Sequence, residues 1–422
     1  MILRILAVVL LTGCSLDAFL CAPCEGACPG GLTCEEGLCR SAVATCNAPL
    51  VAAEAGVDAG AGDAGAGDAA RADAIPPDAA PDAAPVDAAP PDQGVEPAPC
   101  VPRWTRLWPP NGPIEGDSPN TRSWSATAWA ETPGGAGLVV HGGSLGNQPQ
   151  SDTWIFYPGT GRWVPVATNE GPGPRTQHRL VTTPDGLLLV GGNCREGSGT
   201  LWRLSLWAED AGTWEALDPL APLPDRWCGF DTAVDGEQIW AFGGSANAVG
   251  LDPPPLWRIR LGDGRAVRVQ RPLPEDGPLN QPALALSPDE GRLYALGGGL
   301  VPTWEPTRRV WHFDVGASAW EAGSTAGVPV LSAARAAWLP AVQRIVVFGG
   351  EIEGSLTTDA LLVYDPATAR WTRFSGAPSP RQGHSMAVLP EGDAVIISWG
   401  HGGVDEAYPD RDDIWKLRLA CP

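Results

Sequence analysis

The sequence predicts an all-β fold made of six four-stranded units closed into a ring. Three observations carry that expectation. Gly (53) and Pro (44) make up close to a quarter of the 422 residues, the composition of a turn-dense β chain and not of a helical bundle. Trp is used 19 times against 4 Tyr and 7 Phe, so one structural position asks for indole repeatedly. A short apolar strand ending in paired glycines recurs six times along the chain.

The six copies run from Leu138 to Gly143, Leu187 to Gly192, Ile239 to Gly244, Leu293 to Gly298, Ile345 to Gly350 and, less regularly, Val395 to Gly403. Their leading glycines, 142, 191, 243, 297, 349 and 402, keep a period of about 50 residues. After each pair a turn leads into a strand bearing Trp154, Trp202, Trp257, Trp311, Leu362 or Trp415. A further strand carries Trp163, Trp214, Val267, Trp320 or Trp371, with Val267 standing where the third copy should have Trp. Hairpin sequences such as Pro158-Gly-Thr-Gly161 and Asp365-Pro-Ala-Thr368 separate these two strands. Upstream of each glycine pair lies one more strand, opened by Arg122, Arg175, Arg226, Asn280, Arg335 or Arg381. A lone sheet of four short strands cannot bury both faces, whereas a ring of such sheets buries each against two neighbours.

The unit resembles the Kelch repeat, most closely in the sixth copy, Pro380-Arg381-Gln-Gly-His384-Ser385. The resemblance covers residues 101–422 and implies a six-bladed Kelch-type β-propeller over 100–422, one blade per repeat. The ends of the chain agree. Asp413 to Cys421 reads as a third strand without a partner, and Cys100 to Trp108 as a fourth strand without a blade, so together they complete blade six. Cys100 and Cys421 then fall where a hairpin turn joins these strands in other copies, and a disulfide between them is expected. Cys194, after the second glycine pair, and Cys228, at the start of the next unit, are expected to bond across adjacent blades.

Ahead of the repeats the chain reads as three short segments. Residues 1–13 place Arg4 before a seven-residue apolar run, the pattern of an export signal and too short to span a bilayer. Leu11-Thr12-Gly13-Cys14 resembles the bacterial lipobox, which implies that Cys14 is lipidated and becomes the new N-terminus. With Ser15 after it, the expected location is a lipid anchor in the bacterial envelope, on the outer membrane, with no segment crossing the bilayer. Residues 14–46 hold Cys21, Cys24, Cys28, Cys34, Cys39 and Cys46 in a stretch too small for an apolar core. Three disulfides of undetermined connectivity are expected, in preference to a zinc knuckle, because the segment has no His. Residues 47–99, almost all Ala, Asp, Pro and Gly, form a disordered spacer.

The net charge of −21 argues against nucleic acid as a partner, since polyphosphate binding needs cationic side chains to release counterions. Arg122, Arg175, Arg226, Arg335 and Arg381 are expected around one mouth of the ring, where guanidinium groups could grip carboxylates of a protein or glycan ligand. Some Kelch propellers are copper oxidases, which need converging Tyr and His. Here His178 and His384 sit at the ordinary repeat position, and Tyr294 and Tyr364 fall on strands, so these read as packing and no cofactor is expected. The acidic loop from Val404 to Asp413 lacks the alternating Asp spacing of a calcium loop and reads as a solvated turn. The reading is a binding module for protein or glycan. The competing class is a carbohydrate-active enzyme, mutarotase- or epimerase-like, which would need an acid/base residue beside the Arg set; the sequence offers no clear one.

Overall fold

Each of the six repeats forms one four-stranded antiparallel sheet, with the strands side by side in chain order in five of them and the N-terminal strand supplying the outer edge of the sixth. In this computed structural model the described residues are 33–35, 38–40, 100–110, 116–194, 199–217, 223–224, 226–236, 238–245, 256–261, 265–269, 279–300, 303–376, 378–403 and 410–421. The chain divides into two compact units, Met1–Ala89 and Pro90–Pro422. In the first, Thr33–Glu35 pairs with Leu38–Arg40, setting Cys34 opposite Cys39 in the backbone ladder. The export signal, Cys14, the spacer and the pairing of the six clustered cysteines lie outside the described residues.

In the second unit the innermost strands are Ala126–Thr132, Arg179–Thr183, Cys228–Asp235, Ala283–Ser287, Arg335–Leu339 and Ser385–Val388, one for each of blades 1 to 6. The second strand of each blade is covered on both faces, which is why it reads as an unbroken apolar run: Leu138, Val139 and Val140 are all fully buried. Among the described residues the buried apolar side chains gather into six clusters, and each cluster joins one blade to the next. Val139 and Ile155 of blade 1 pack with Leu189 and Trp214 of blade 2. Trp108 and Ile396 of blade 6 pack with Leu138 and Trp163 of blade 1.

The ring closes as the chain ends suggest. Blade 6 is ordered Ser385–Val388, Ala394–Ser398, Ile414–Ala420 and Val101–Trp108, with Trp104 opposite Leu417. Cys100 is bonded to Cys421 and Cys194 to Cys228, with Cα separations of 4.1 and 5.1 Å.

Two details of the repeat differ from the sequence reading. In the fourth strands Trp163, Trp214, Trp320 and Trp371 face Phe156, Leu204, Phe313 and Tyr364 of the third strands. The corresponding residue of blade 3 is Ala266, opposite Ile259 and buried, whereas Val267 points to the other face and is 38% exposed. A one-residue slip in a strand reverses every side chain, so the missing indole is an Ala. In blade 6 the leading position of the glycine pair is held by Trp399, not Gly402. The Trp399 amide donates to the Asp413 carbonyl at 3.0 Å just as Gly142 donates to Asp152, and Trp399 adopts the left-handed φ of 54° that glycine supplies elsewhere.

Candidate ligand-binding mouth

The second glycine of each pair ties its blade to the next. The amides of Gly143, Gly192, Gly298, Gly350 and Gly400 donate to the carbonyls of Arg175, Trp227, Leu331, Arg381 and Arg122, at 2.8 to 3.4 Å. These acceptors define one repeated position, completed in blade 4 by Leu279, whose neighbour Asn280 pairs with Gly299. Arg122, Arg175 and Arg381 therefore share a position, but Arg226 stands one residue ahead of it and Arg335 four residues beyond it. The expected ring of five equivalent guanidinium groups is thus a set of three, its other members being Trp227, Leu279 and Leu331. The loop entering each blade varies in length, so an Arg in the sequence can lie near the repeated position without occupying it.

The three Arg side chains are buried and turned inward onto their own blades. Arg122 forks onto Asp152, at 2.6 and 2.9 Å, and also donates to the Gly142 carbonyl. Arg381 does the same with Asp413 and the Trp399 carbonyl. Burial is the largest single influence and would raise these two aspartates, but the Arg hydrogen bonds, the Arg charge, the Trp indole and a backbone bond together outweigh it and hold both below the usual carboxylate range. Trp227 fills the same role with its indole, donating to the Gly243 carbonyl at 3.0 Å. Arg175 donates to the carbonyls of Gly191 and Pro172, has no carboxylate partner among the described residues, and is lowered to about 10 by burial. What this position does is clamp the loop between second and third strands against the blade.

Two residues beyond it the backbone itself forms a rim. Trp124, Gln177, Gly229, Gln281, Ala333 and Gly383 all have left-handed φ, between 54° and 67°. The amides of Trp124, Gln177, Gln281 and Ala333 donate to the carbonyls of Gly383, Trp124, Gly229 and Gln281, each crossing to the preceding blade. Nothing in the residue types announces this rim, since Trp, Gln, Gly and Ala have no common chemistry. Only their fixed offset from the strand start would have shown it. Gly383 is required as glycine, because an added Cβ would sit 2.8 Å from the Trp124 indole that lies over it.

Above this rim, over blades 4, 5, 6 and 1, opens a cup of about 350 Å³. Trp124 and Gln281 enter from the rim, Asn280, Ser332 and Gln382 from the residues just before it, and Trp304, Glu351 and His401 from the loops. The walls are stiff. Ser332 and Glu351 exchange two backbone hydrogen bonds of 2.7 and 2.8 Å, and Gln382 and His401 exchange two of 2.9 Å. Trp124 packs against the His401 ring at 5.8 Å, while Trp304 is 47% exposed on a left-handed backbone of φ 62°. The result is a concave polar surface with an indole on each side and one carboxylate, Glu351, in the wall. Of these residues the sequence reading names only Asn280, at a strand start, and His401, among the histidines weighed for a copper site.

Three buried imidazoles and two phenols pack within and between the blades. His141, His178 and His384 are fully buried; burial pushes His141 down to about 3 and the other two well below the ordinary imidazole value. Tyr294 and Tyr364 pack ring to ring at 5.3 Å between blades 4 and 5. Tyr408 and the acidic loop 404–409 lie outside the described residues. Among the described residues no group of three or more His, Cys, Asp and Glu is placed to hold a metal ion.

With the ring and its mouth described, likenesses to known proteins become informative. No family model matches the chain. It is 25% identical over 285 residues to Kelch domain-containing protein 10 of Xenopus tropicalis, covering 64% of this chain and 67% of that one. It is 27% identical over 314 residues to Adagio-like protein 3 of Oryza sativa subsp. japonica, covering 72% of this chain and 40% of the relative. Putative adagio-like protein 2 of the same plant is likewise 27% identical, covering 68% and 48%. The propeller is of the Kelch type. Kelch propellers are commonly protein-interaction modules. The chain spans 67% of the frog protein's length and less than half of either rice protein's, so the likeness is one of propellers and not of whole proteins.

Proposed function

We propose that this chain is a binding module of the bacterial cell envelope, exported and held by lipid on Cys14, whose Kelch-type propeller receives its ligand in the cup above blades 4, 5, 6 and 1. The observation that carries the reading is the cup itself: rigid backbone walls, amide and carboxylate side chains, and two indoles facing a volume of about 350 Å³. Amphipathic aromatic anchors beside a few fixed polar groups are what recognition surfaces require. A protein segment is the first ligand class, in keeping with the use of Kelch propellers elsewhere. A glycan is the second, favoured by Trp304, whose exposed indole lines the same cup as Gln281, Asn280 and Glu351 and suits a sugar ring with its hydroxyls. In the channel below, Asp231 accepts from the Arg179 guanidinium, the Thr232 amide and the Leu284 amide, the bonds of a carboxylate that ties neighbouring blades together.

The test is retention of envelope proteins and of arrayed glycans by the purified chain and by Trp304→Ala. Trp304 is exposed, so its truncation should leave the melting temperature within about 2 °C while retention falls at least tenfold. Equal retention by both proteins, or turnover of a sugar anomer with no retained ligand, would overturn the reading.

A further inference from the structure

The central channel contains a broken symmetry. The inner-strand residue paired with the last residue before each glycine pair is Ala126, Arg179, Asp231, Ala283, Arg335 and Ser385 in blades 1 to 6. In blades 2 and 3 this tier holds a buried ion pair, Arg179 Nε to Asp231 at 2.8 Å. Arg179 also donates to the carbonyl of His178, the residue before it, and to that of Phe230, the residue before Asp231. Half a turn round the ring, Arg335 repeats the arrangement with the carbonyls of Ala334, before it, and His384, before Ser385. The carboxylate does not recur. Where blade 3 has Asp231, blade 6 has Ser385, whose hydroxyl donates to the Ser125 carbonyl at 2.6 Å and lies 3.4 Å from the Ser125 hydroxyl.

Arg335 is therefore a cation 94% buried with two long bonds to neutral carbonyls, 3.2 and 3.3 Å, and no acidic partner within ion-pair distance among the described residues. The charge of Asp231 is already answered by Arg179 and two backbone amides. Arg335 is lowered to about 9, by burial first and by Arg179 second, with Asp231 acting in the opposite sense. An unpaired charge away from water is costly, and the remedy in folded proteins is a counter-charge at hydrogen-bond distance. Arg335, Ser125 and Ser385 line one cavity of about 70 Å³ together with Arg179 and Asp231. That is space for one small ion and a water or so, at about 30 Å³ per water.

We infer that the propeller channel holds a small monovalent anion, of halide or formate size, bound by the Arg335 guanidinium beside Ser125 and Ser385 in the place that Asp231 fills for Arg179. The site is distinct from the cup and independent of its ligand.

Chloride is the probe. Thermal unfolding of the purified chain, followed in chloride against gluconate at constant ionic strength, separates specific binding from screening. Chloride at about ten times its dissociation constant should raise the melting temperature by about 3 °C, with saturation. Crystals soaked in bromide should show an anomalous peak beside Arg335. Ser385→Asp supplies a built-in carboxylate, and should fold, lose the chloride response and lose the bromide peak. Arg335→Met should also lose both; if it does not fold, Ser385→Asp alone decides. A wild-type chain with no chloride response and no bromide peak overturns the inference, as does a response that persists unchanged in Ser385→Asp.

Discussion

Trp163 of blade 1 and Trp399 of blade 6 stack face to face, 5.3 Å between ring centroids and 6° from parallel. They meet across the seam where the propeller closes. Trp163 stands on the fourth strand of its blade, while Trp399 replaces the glycine that leads the turn in the other five. Trp108 packs edge-on against the Trp163 indole at 6.1 Å, and Arg122 lies 5.5 Å from the Trp399 ring. An open stack of sheets would leave these faces to solvent, so the seam draws cohesion from aromatic packing of the kind that also joins blades 3 and 4 and blades 4 and 5. Its covalent counterpart is the Cys100–Cys421 bond, 321 residues apart in sequence.

That bond should dominate the stability of the ring. It holds the lone N-terminal strand Val101–Trp108 against Ile414–Ala420, and the loop it closes is worth roughly 5 to 6 kcal/mol in the chain-entropy model, an upper limit. Cys421→Ser should cost about 2 to 5 kcal/mol in urea unfolding under oxidising conditions. Cys194→Ser removes a bond that closes a loop of only 34 residues and should cost less. Equal losses from the two variants would show that closure is not what the first bond secures.

Much of this architecture was legible in the sequence, and what was not has a physical pattern. The glycine pairs, the Trp-bearing third and fourth strands and the split sixth blade were readable because each reflects a repeated backbone demand: positive φ, an indole-sized gap, an unpaired strand. The Arg series was read wrongly in blades 3 and 5. There the structural role passes to Trp227, which makes the same bond with an indole, and to Leu331, which makes none, so residue identity stopped reporting position. Val267 and Gly402 failed in the same way, through a slip of one and of three residues. The cup was hidden for a different reason: its residues come from four blades and share only a backbone geometry.

Stability should fall as the solution is acidified below neutrality, before any carboxylate titrates. His141, His178 and His384 all have folded pKa values lowered by burial. A depressed folded pKa means that the unfolded chain takes up the proton first, so the stabilisation is complete above the unfolded value near 6.5 and is lost as pH falls below it. For His141, lowered to about 3, the loss continues over most of that interval. Each imidazole that stays neutral costs about 2 kcal/mol by pH 5. Urea midpoints measured from pH 7.5 to 5 should fall steadily. A flat profile over that range would mean that these rings are charged, or exposed, in the folded protein.

The Arg175 clamp lacks an acid that its counterparts have. Asp152 and Asp413 each precede a Trp by two residues, accept from that Trp indole at 2.7 Å and fork the Arg of their blade. The equivalent residue of blade 2, two before Trp202, is Thr200. Arg175 is left with carbonyl acceptors and a buried Nε that has no partner. Thr200→Asp should restore the Arg–Asp–Trp arrangement and satisfy that cation. A buried pair gains less than its Coulomb energy suggests, because the added carboxylate must itself be desolvated, but here the cation is already buried and only one charge has to be brought in. The melting temperature at pH 7 should rise by about 2 to 4 °C, and the gain should vanish below about pH 3 as the new carboxylate protonates. In the Arg175→Met background the same substitution should destabilise, since the carboxylate then has no partner. A gain that survives in that background would show that residue 200 acts through the loop and not through the guanidinium.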